Sequence, residues 1–497
     1  MSGQHTAWTS DPAAPHDGDV WDLVVVGGGT AGIVAAKTAA GFGASVLMVE
    51  RDRPGGDCLW TGCVPSKALI ASANAAQAAR ISDDFGVTVG EVRVDFAAVM
   101  ARVRRVVGTI EPIDSPDTLR ESGVLLSHAT ARFLGPRSLS LSSGEVVGFR
   151  HAIIATGSRP LMPDVPGLTD VAAMTSDDVW DLTALPARLL VLGGGSIGCE
   201  LAQAFARLGS QVTLVEAAPE LLPREDAAAA GLVRSALLAD GVEVRLATKI
   251  VAAAEGVGGI EVTTAAGQII SADRALVAVG RRPGTDGLGL ASAGVAISGL
   301  GHVLVDARLR TTNRRIWAAG DVTGHPQFTH VAGVHGSLAA SNAVLGLRRR
   351  VDTTTIPRVT YTHPEIAAFG VSADAPGAKV VDLHHADVDR AVTDGDTRGL
   401  TRLVLDHRRR VIGATVVSPR AGELLGELVV AARSRMRIGE LAGTMHPYPG
   451  FGDAVWKPAI QAVREQLRQP STTWLTGRLA AWQRIRHRSR SGARGQR

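Results

Sequence analysis

Trp21-Asp-Leu-Val-Val-Val-Gly-Gly-Gly-Thr-Ala-Gly32 is a mostly apolar run that leads directly into a glycine-rich turn. The run has the length of one buried β-strand, and the stretch from Ile33 to Gly41 after the turn is compatible with a helix. A second apolar run, Ser45 to Val49, then ends in an acidic residue, Glu50. The pattern predicts a strand, a turn, a helix and a second strand, which is the unit that binds dinucleotides.

The spaced glycines of this turn have separate roles in such a unit. Gly27 makes the tight turn, Gly29 lets the backbone approach a pyrophosphate, and Gly32 lets the helix pack on the strand. Glu50 stands where a carboxylate accepts hydrogen bonds from the adenosine ribose. We therefore expect these four residues to bind a dinucleotide.

The same pattern returns later in the chain, where an apolar run leads into Gly193-Gly-Gly-Ser-Ile-Gly198 and a helix-compatible stretch. Glu216 follows Gly193 at the same spacing as Glu50 follows Gly27. We therefore predict a second dinucleotide site, at Gly193, Gly195, Gly198 and Glu216. A carboxylate at Glu216 would bind a free 2′-hydroxyl and repel a 2′-phosphate, which favours NADH over NADPH, although Arg224 lies nearby in the sequence.

Two of the three cysteines occur in one glycine-bracketed segment, Gly55-Gly-Asp-Cys-Leu-Trp-Thr-Gly-Cys-Val-Pro-Ser-Lys67. Cys63 lies near Lys67 and near a helix that we expect to begin at Pro65, and both features stabilise a thiolate. Cys58 lies further out in the predicted loop, where a substrate could reach it. The pair indicates a redox-active dithiol. A structural disulfide is disfavoured in an intracellular protein, and the spacing does not match a zinc site.

The overall composition is typical of a glycine-rich α/β protein of several domains, with 45% hydrophobic residues, 20% charged residues and 57 glycines. The sequence shows no signal peptide, no membrane-spanning run and no metal-ligating pattern, so we expect a cytoplasmic protein without a bound structural metal. The third cysteine, Cys199, falls on a predicted helix that packs on a sheet, and we expect it in the core.

Positive charge is concentrated at the C-terminus. Residues 466–497 contain eight arginines and no acidic residue, whereas the rest of the chain has 44 Lys and Arg against 48 Asp and Glu. The charge of this tail does not predict a nucleic-acid-binding face. Leu475, Leu479 and Trp482 have helical spacing, so a basic amphipathic helix for an anionic membrane surface is one interpretation. We favour a solvated, partly disordered extension.

Four further segments carry a family resemblance: Ala155-Thr-Gly-Ser-Arg-Pro160, Gly280-Arg-Arg-Pro-Gly-Thr285, Trp317-Ala-Ala-Gly-Asp-Val-Thr323 and Thr362-His-Pro-Glu-Ile-Ala367. With the cysteine segment and the two glycine turns, they resemble the pyridine nucleotide-disulfide oxidoreductases, flavoproteins that include dihydrolipoamide dehydrogenase, glutathione reductase and mercuric reductase. The resemblance covers about residues 20–465. It implies one FAD per subunit, with Gly157, Gly280 and Asp321 as further cofactor-binding residues. Gly284 departs from the family, which commonly has Asn there.

The resemblance also implies the fold class and the domain order. We expect an α/β protein with two Rossmann-like dinucleotide-binding domains, the NAD domain inserted in the FAD domain, and a C-terminal α+β dimerisation domain. The expected segments are a flexible N-terminus (1–19), the first FAD-binding segment (20–160), the NAD(P)-binding domain (161–280), the second FAD-binding segment (281–350), the interface domain (351–465) and the basic tail (466–497).

Catalytic roles follow from the same resemblance. Cys63 would face the flavin, and Cys58 would exchange with the substrate. Lys67 resembles the lysine that lies beside the flavin N5 and pairs with a glutamate, and Glu200 is at the matching position. Electrons would pass from NAD(P)H through FAD to the Cys58–Cys63 disulfide and then to an acceptor.

The chain departs from its thiol-reducing relatives near the C-terminus. Those relatives have a catalytic His two residues before a Thr and a Glu three residues after it. Here Tyr448 falls at the His site and Asp453 at the Glu site, while the nearest histidine, His446, is displaced by two residues. Either Tyr448 or His446 could therefore be the general acid. Mercuric reductases have Tyr at this site, but they also have a C-terminal cysteine pair, and this chain has no cysteine after Cys199.

These features together predict an FAD-dependent, NADH-preferring oxidoreductase of the mercuric reductase-like branch. We expect a homodimer that reduces an unidentified small-molecule acceptor and does not bind nucleic acid. Two alternatives stay open: a dihydrolipoamide dehydrogenase, and an NADH–quinone diaphorase whose cysteines are dispensable. A flavin-bearing protein anchored to a membrane by the basic tail is a less favoured interpretation.

Overall fold

A computed structural model describes residues 20–171 and 173–492. The segment 1–19, which we predicted to be flexible, lies outside the described residues. The chain divides into two compact units. The first contains the residues up to Pro223 together with Leu237–Asp352, and the second contains Arg224–Ala236 together with the residues from Thr353 onward.

The elements around the first glycine turn are β1 (Val20–Val26), α1 (Thr30–Gly41), β2 (Val46–Glu50), α2 (Gly56–Trp60), α3 (Cys63–Arg80), α4 (Phe96–Ile110), α5 (Pro116–Glu121), β3 (Val124–His128), β4 (Ala131–Gly135), β5 (Ser138–Leu141), β6 (Val146–Ile154) and β7 (Ser158–Pro160). Those around the second are β8 (Ala173–Thr175), β9 (Arg188–Leu192), α6 (Ser196–Leu208), β10 (Gln211–Val215), α7 (Ala227–Ala239), β11 (Glu243–Arg245), β12 (Ile250–Gly256), β13 (Gly259–Thr264), β14 (Ile269–Ala272) and β15 (Arg274–Val277).

The return segment contains β16 (Arg281–Pro283), β17 (Ile316–Ala318) and α8 (Thr329–Leu345). The C-terminal region contains β18 (Arg358–Thr360), β19 (Glu365–Gly370), β20 (Lys379–His384), α9 (Asp389–Thr393), β21 (Leu400–Leu405), β22 (Val411–Ser418), α10 (Ala421–Arg433), α11 (Ile438–Ala442), α12 (Asp453–Leu467) and α13 (Pro470–Gly492).

The first sheet has the strand order β3-β2-β1-β6-β5-β4, and β17 also pairs with β6. Strands β3, β2, β1, β6 and β17 are parallel. Helices cover a parallel sheet on both faces, so its central strand reads as a continuous apolar run. Leu23, Val24 and Val25 of β1 are accordingly fully buried. Because β17 comes from the return segment, the chain leaves this sheet after β6 and comes back to it.

The second sheet has the order β11-β10-β9-β15-β8 and is parallel throughout. The second glycine turn joins β9 to α6 in the same way as the first joins β1 to α1. A separate antiparallel sheet in the C-terminal unit has the order β18-β19-β22-β21-β20. One apolar core there unites its strands with residues of α10, α11 and α12. The predicted fold class is confirmed.

Residues Pro470–Gly492 form the helix α13 rather than the partly disordered extension that we favoured. No helix among the described residues is long and apolar enough to cross a membrane.

The glycine turn of the first sheet allows a direct stability test. A Cβ at Gly32 would overlap the carbonyl oxygen of Gly27, whereas a Cβ at Gly41 of the same helix would contact nothing within 4 Å. We expect Gly32→Ala to lower the free energy of unfolding by about 1–3 kcal/mol. Gly41→Ala should leave it unchanged or raise it by up to about 1 kcal/mol. Urea unfolding followed by circular dichroism measures both, and equal losses in the two variants would contradict the packing role of Gly32.

Candidate active site

Both cysteines of the 55–67 segment lie in helices. Cys58 is inside the short helix α2, and Cys63 is the first residue of α3. The predicted loop around Cys58 is therefore wrong, and α3 begins before Pro65. The physical reason lies in Gly55 and Gly56, whose φ angles of 109° and 58° turn the chain into α2.

The cysteine segment packs closely against the first glycine turn. A Cβ at Gly56 would lie 2.7 Å from the Cα of Gly29, so a side chain at this position would push the two segments apart. The redox pair is thus held directly beside the predicted dinucleotide site. The sequence alone placed both motifs in the same region but gave no sign of this contact.

The two thiols have opposite acidities. A hydrogen bond from Cys58 lowers the pKa of Cys63 to about 6, and the hydroxyl of Thr329 and the charge of Lys67 lower it further against the effect of burial. The hydrogen bond to Cys63, burial and the nearby thiolate charge raise the pKa of Cys58. At neutral pH the reduced pair therefore consists of a Cys63 thiolate and a Cys58 thiol, in agreement with the expectation for Cys63.

The two sulfurs differ in exposure among the described residues. Cys63 is exposed, whereas Cys58 is only partly exposed. Cys63 Sγ lies 3.2 Å from Thr329 Oγ1, at the first residue of α8. Sequence analysis missed Thr329, because the contact joins residues that are far apart in the chain and Thr329 stands in no recognised motif.

Lys67 and Glu200 form the predicted pair. Lys67 Nζ donates to Glu200 Oε2 at 2.8 Å, and the Glu200 side chain is only 7% exposed. The pair joins α3, which begins at Cys63, to α6, which begins at the second glycine turn. A buried carboxylate without a cation is costly, so Lys67 and Glu200 hold each other in place.

A second polar contact, missed in the sequence, supports the same helix pair. Arg207 of α6 donates to Asn74 of α3 at 2.6 Å and to Asp240 at 2.8 Å. The side chains of Arg207 and Asp240 are each only 5% exposed. Because Asn74 follows Lys67 at the same spacing as Arg207 follows Glu200, the two contacts fix the register of α3 against α6.

The two glycine turns are bound by their own acidic residues. The N–H of Gly28 donates to Glu50 Oε2 at 2.5 Å, and the N–H of Gly194 donates to Glu216 Oε2 at 2.6 Å. The second carboxylate oxygen accepts from the backbone N–H of Asp52 in the first turn and of Ala218 in the second. Sequence analysis assigned these acids to a ribose and missed that they also hold the turns.

Both turns leave room for a phosphate. Gly29 and Gly195 are the N-cap residues of α1 and α6, and no side chain caps either helix. A Cβ at Gly195 would contact nothing within 4 Å, and one at Gly29 would contact only the Cα of Gly56, at 3.9 Å. Uncapped N–H groups at the positive end of a helix are an anion-binding arrangement, so the residues present fit a dinucleotide pyrophosphate.

Asp321 belongs to a chain of polar contacts that reaches the cysteine segment. Ser158 donates to Asp321 at 2.7 Å, and Arg281 donates to Ser158 at 2.7 Å. Arg281 also pairs with Asp57, the residue before Cys58. Burial raises the pKa of Asp57 to about 6, although Arg281 acts in the opposite direction. Arg281 and Asp57 were not predicted.

The crossover glycines adopt conformations that suit glycine. Gly157 has φ 63° and Gly280 has φ 142°. They lie beside β7 and β16, which pair antiparallel where the chain leaves and re-enters the first sheet. A Cβ at Gly284 would lie 2.6 Å from the carbonyl oxygen of Thr156, so a side chain at this position would require the backbone to shift. Cys199 is fully buried and donates to the Gly194 carbonyl oxygen, as expected for a core residue.

The C-terminal unit holds the other three predicted residues in different settings. Tyr448 is 71% exposed, and its hydroxyl donates to Asp389 at 2.7 Å. This bond raises the pKa of Tyr448. Lys457 also binds Asp389, at 2.8 Å, so the carboxylate is held between a phenol and an ammonium group.

His446 is held inside this unit by Glu427. Its Nε2 lies 3.0 Å from Glu427 Oε1, its Nδ1 lies 3.0 Å from the carbonyl oxygen of Thr444, and its side chain is only 7% exposed. Asp453 is buried, and its Oδ2 has no hydrogen-bond partner among the described residues. Burial raises the pKa of Asp453. The unit therefore exposes Tyr448 and keeps His446 and Asp453 inside.

Comparison with known proteins agrees with this geometry. The sequence profile of the pyridine nucleotide-disulphide oxidoreductases matches residues 21–336. The profile of their dimerisation domain matches residues 356–459. The chain belongs to this family. It is therefore an FAD-dependent disulfide oxidoreductase that uses NAD(P)H, and the dimerisation domain supports a homodimer.

Two curated relatives match over nearly their whole length. A mercuric reductase of Streptomyces lividans is 38% identical over 449 residues, which cover 88% of this chain and 94% of that protein. A dihydrolipoyl dehydrogenase of Thermus scotoductus is 36% identical over 468 residues, which cover 90% of this chain and 98% of the relative. The predicted family is confirmed, and both of its predicted branches occur among the relatives.

Two solved structures have the same fold as this chain. The HOCl-induced flavoprotein disulfide reductase RclA from Escherichia coli, in its Cu(II) complex, has a TM-score of 0.81 and 27% identity, with 89% of this chain and 99% of that chain covered. LpdA from Mycobacterium tuberculosis has a TM-score of 0.82 and 27% identity, with 89% and 100% covered.

The contact between Cys63 and Thr329 predicts a shift in thiol acidity. Thr329→Val removes a hydrogen bond to the thiolate, so the pKa of Cys63 should rise from about 6 to about 7 or higher. Thr329→Ser keeps a hydroxyl and should leave it near its original value. The rate of iodoacetamide alkylation of the dithiol enzyme as a function of pH reports this pKa. Identical profiles for Val and Ser variants would contradict the contact.

Proposed function

We propose that this enzyme uses NADH to reduce a soft metal ion that binds to Cys58 and Cys63. One NADH would reduce one Hg(II) to the metal, or two Cu(II) to Cu(I), and would yield NAD⁺ and one proton. Bound FAD would supply the relay of two electrons between the nicotinamide and the sulfur site.

The observation that carries this proposal is the hydrogen bond from Tyr448 to Asp389. Exchange with a disulfide substrate releases a thiolate, which needs a general acid whose pKa lies near neutrality. The pKa of Tyr448 is raised above its ordinary value of 10.0, which makes it a poor acid. When a bound metal ion is reduced and leaves, only the two cysteine sulfurs of the enzyme are freed, and no substrate thiolate has to be protonated by such an acid. The presence of Tyr448 at the position of the catalytic His thus favours a metal ion as the electron acceptor.

The sulfur site has the chemistry of a soft-metal ligand. Thiolates are preferred ligands of soft metals, and Cys63 is a thiolate at neutral pH. Within residues 20–171 and 173–492, no cluster of three or more His, Cys, Asp or Glu side chains is arranged to hold a metal ion. The metal ion is therefore proposed as a substrate held by two sulfurs.

Two similarities support a metal acceptor. Mercuric reductase is the name of the Streptomyces lividans relative, and the RclA structure is a Cu(II) complex. This chain has no cysteine after Cys199, so we propose that the metal ion reaches Cys58 and Cys63 without the C-terminal cysteine pair of mercuric reductases.

The cofactor contacts are proposed from the two glycine turns and the crossover segments. FAD would be held by Gly27, Gly29, Gly32, Glu50, Gly157, Gly280 and Asp321. NADH would be held by Gly193, Gly195, Gly198 and Glu216. The Lys67–Glu200 pair would orient α3 so that Cys63 faces the flavin. We further propose a cytoplasmic homodimer in which the partner subunit's Tyr448 faces Cys58.

The proposed coenzyme preference depends on Glu216. Its carboxylate is held at the end of β10 by the N–H groups of Gly194 and Ala218. A fixed negative charge there repels a 2′-phosphate and accepts a hydrogen bond from a 2′-hydroxyl. We expect kcat/KM to be at least about tenfold higher for NADH than for NADPH. Equal values for the two coenzymes would contradict this role.

An acceptor screen tests the proposed function. With NADH as donor, we expect Hg(II) or Cu(II) to be turned over and lipoamide to be a poor acceptor. Cys58→Ser should lower metal-dependent NADH oxidation by about a hundredfold or more, because one of two ligands is lost. His446→Gln should leave this activity within about threefold.

The other outcomes distinguish the alternatives. Efficient lipoamide turnover that is lost in the His446→Gln variant would overturn the proposal in favour of a dihydrolipoamide dehydrogenase. Full NADH–quinone activity in the Cys58→Ser variant, with no metal reduction by the wild-type enzyme, would instead identify a diaphorase.

A further inference from the structure

We propose that α13 binds the surface of an anionic lipid membrane and attaches the enzyme to it peripherally. The helix follows directly after α12 and lies beyond residue 459, where the match to the dimerisation domain ends. It is therefore an addition to the region of the chain that the family match covers. The argument depends on the side chains of one face of this helix and on its charge.

One face of α13 carries five large apolar side chains, and each is more than half exposed. They are Trp474, Leu475, Leu479, Trp482 and Ile485. At 3.6 residues per turn, these positions fall within an arc of about 140°. The opposite side of the helix has small or polar residues, among them Thr476, Ala480 and Gln483. An apolar stripe of this size that the described chain leaves uncovered marks an interaction surface.

Arginines lie on the same arc as the two tryptophans. The Arg478 guanidinium lies 4.5 Å from the centroid of the Trp474 ring, and the Arg486 guanidinium lies 4.6 Å from that of Trp482. A dry protein interface over this stripe would have to bury both cations, which is costly without paired carboxylates. At a membrane surface, the indole rings enter the interface while the guanidinium groups stay among the phosphates.

The charge of the segment selects an anionic surface. Residues 466–497 contain eight arginines and no acidic residue. Basic residues beside an apolar helix face add electrostatic attraction to acidic headgroups. The helix is too polar to span a bilayer, so it would lie in the plane of the interface.

Vesicle co-sedimentation of the full-length holoenzyme tests this inference. We expect the enzyme to sediment with vesicles of phosphatidylcholine and phosphatidylglycerol but not with phosphatidylcholine alone, and added salt should weaken the binding. The double variant Leu479→Ser/Trp482→Ser should bind about tenfold or more weakly, because it removes two of the five large apolar side chains of the stripe. Arg478→Gln/Arg486→Gln should also bind less to the anionic vesicles.

A matched control lies on the opposite side of the same helix. Ala480→Ser/Gln483→Asn should bind the vesicles like the wild-type enzyme, and circular dichroism should show the same helix content in all variants. Equal loss of binding in this control and in Leu479→Ser/Trp482→Ser would contradict the role of the stripe.

Two further results would overturn the inference. If the wild-type enzyme bound duplex DNA and did not sediment with vesicles, the positive charge of residues 466–497 would serve to bind a nucleic acid. A loss of dimers in Leu479→Ser/Trp482→Ser, measured by light scattering, together with no vesicle binding by the wild type, would assign the stripe to a second copy of this chain.

Discussion

The hydrogen-bonded sulfur pair is the interaction on which the active site depends. Cys63 is a thiolate because Cys58 and Thr329 bond to it and because Lys67 lies nearby. Lys67 is in turn held by the buried Glu200, on the helix that begins at the second glycine turn. The same few contacts therefore set the charge of the sulfur and join the two dinucleotide units. Removal of either partner of the Lys67–Glu200 pair would disturb the thiolate and the packing of α3 on α6.

The features that the sequence predicted are those encoded in short stretches of chain. Both glycine turns occur between a strand and a helix, as expected, because tight turns and close packing leave no room for a Cβ at Gly32 or Gly198. Glu50 is the last residue of β2, and Glu216 follows directly after β10. The Lys67–Glu200 pair was also predicted, but only through the family resemblance, since no local pattern connects two residues so far apart in the chain.

The features that were missed arise from tertiary contacts. Thr329 reaches Cys63 from the start of α8, and Arg281 reaches Asp57 from the return segment. Asn74 and Arg207 meet only because α3 and α6 pack together. The start of α3 at Cys63 was also missed, because Pro65 marked a favourable first turn and the conformation of Gly55 and Gly56 was not apparent from the sequence. Thr, Arg, Asp and Asn are also common on ordinary protein surfaces, so these residue types alone did not indicate a site.

The C-terminal unit shows why His446 does not take the place of the catalytic histidine of the thiol-reducing relatives. In the thiol-reducing relatives, the motif contains a catalytic His together with the Glu. Here the residue at the Glu site, Asp453, is buried with a carboxylate oxygen that has no partner among the described residues. The imidazole of His446 binds Glu427 instead, in a nearly closed pocket. His446 is thus bonded to Glu427, while Asp453 keeps an oxygen without a hydrogen-bond partner among the described residues. A phenol bonded to Asp389 stands at the exposed position, and its raised pKa makes it a weak general acid for a leaving thiolate.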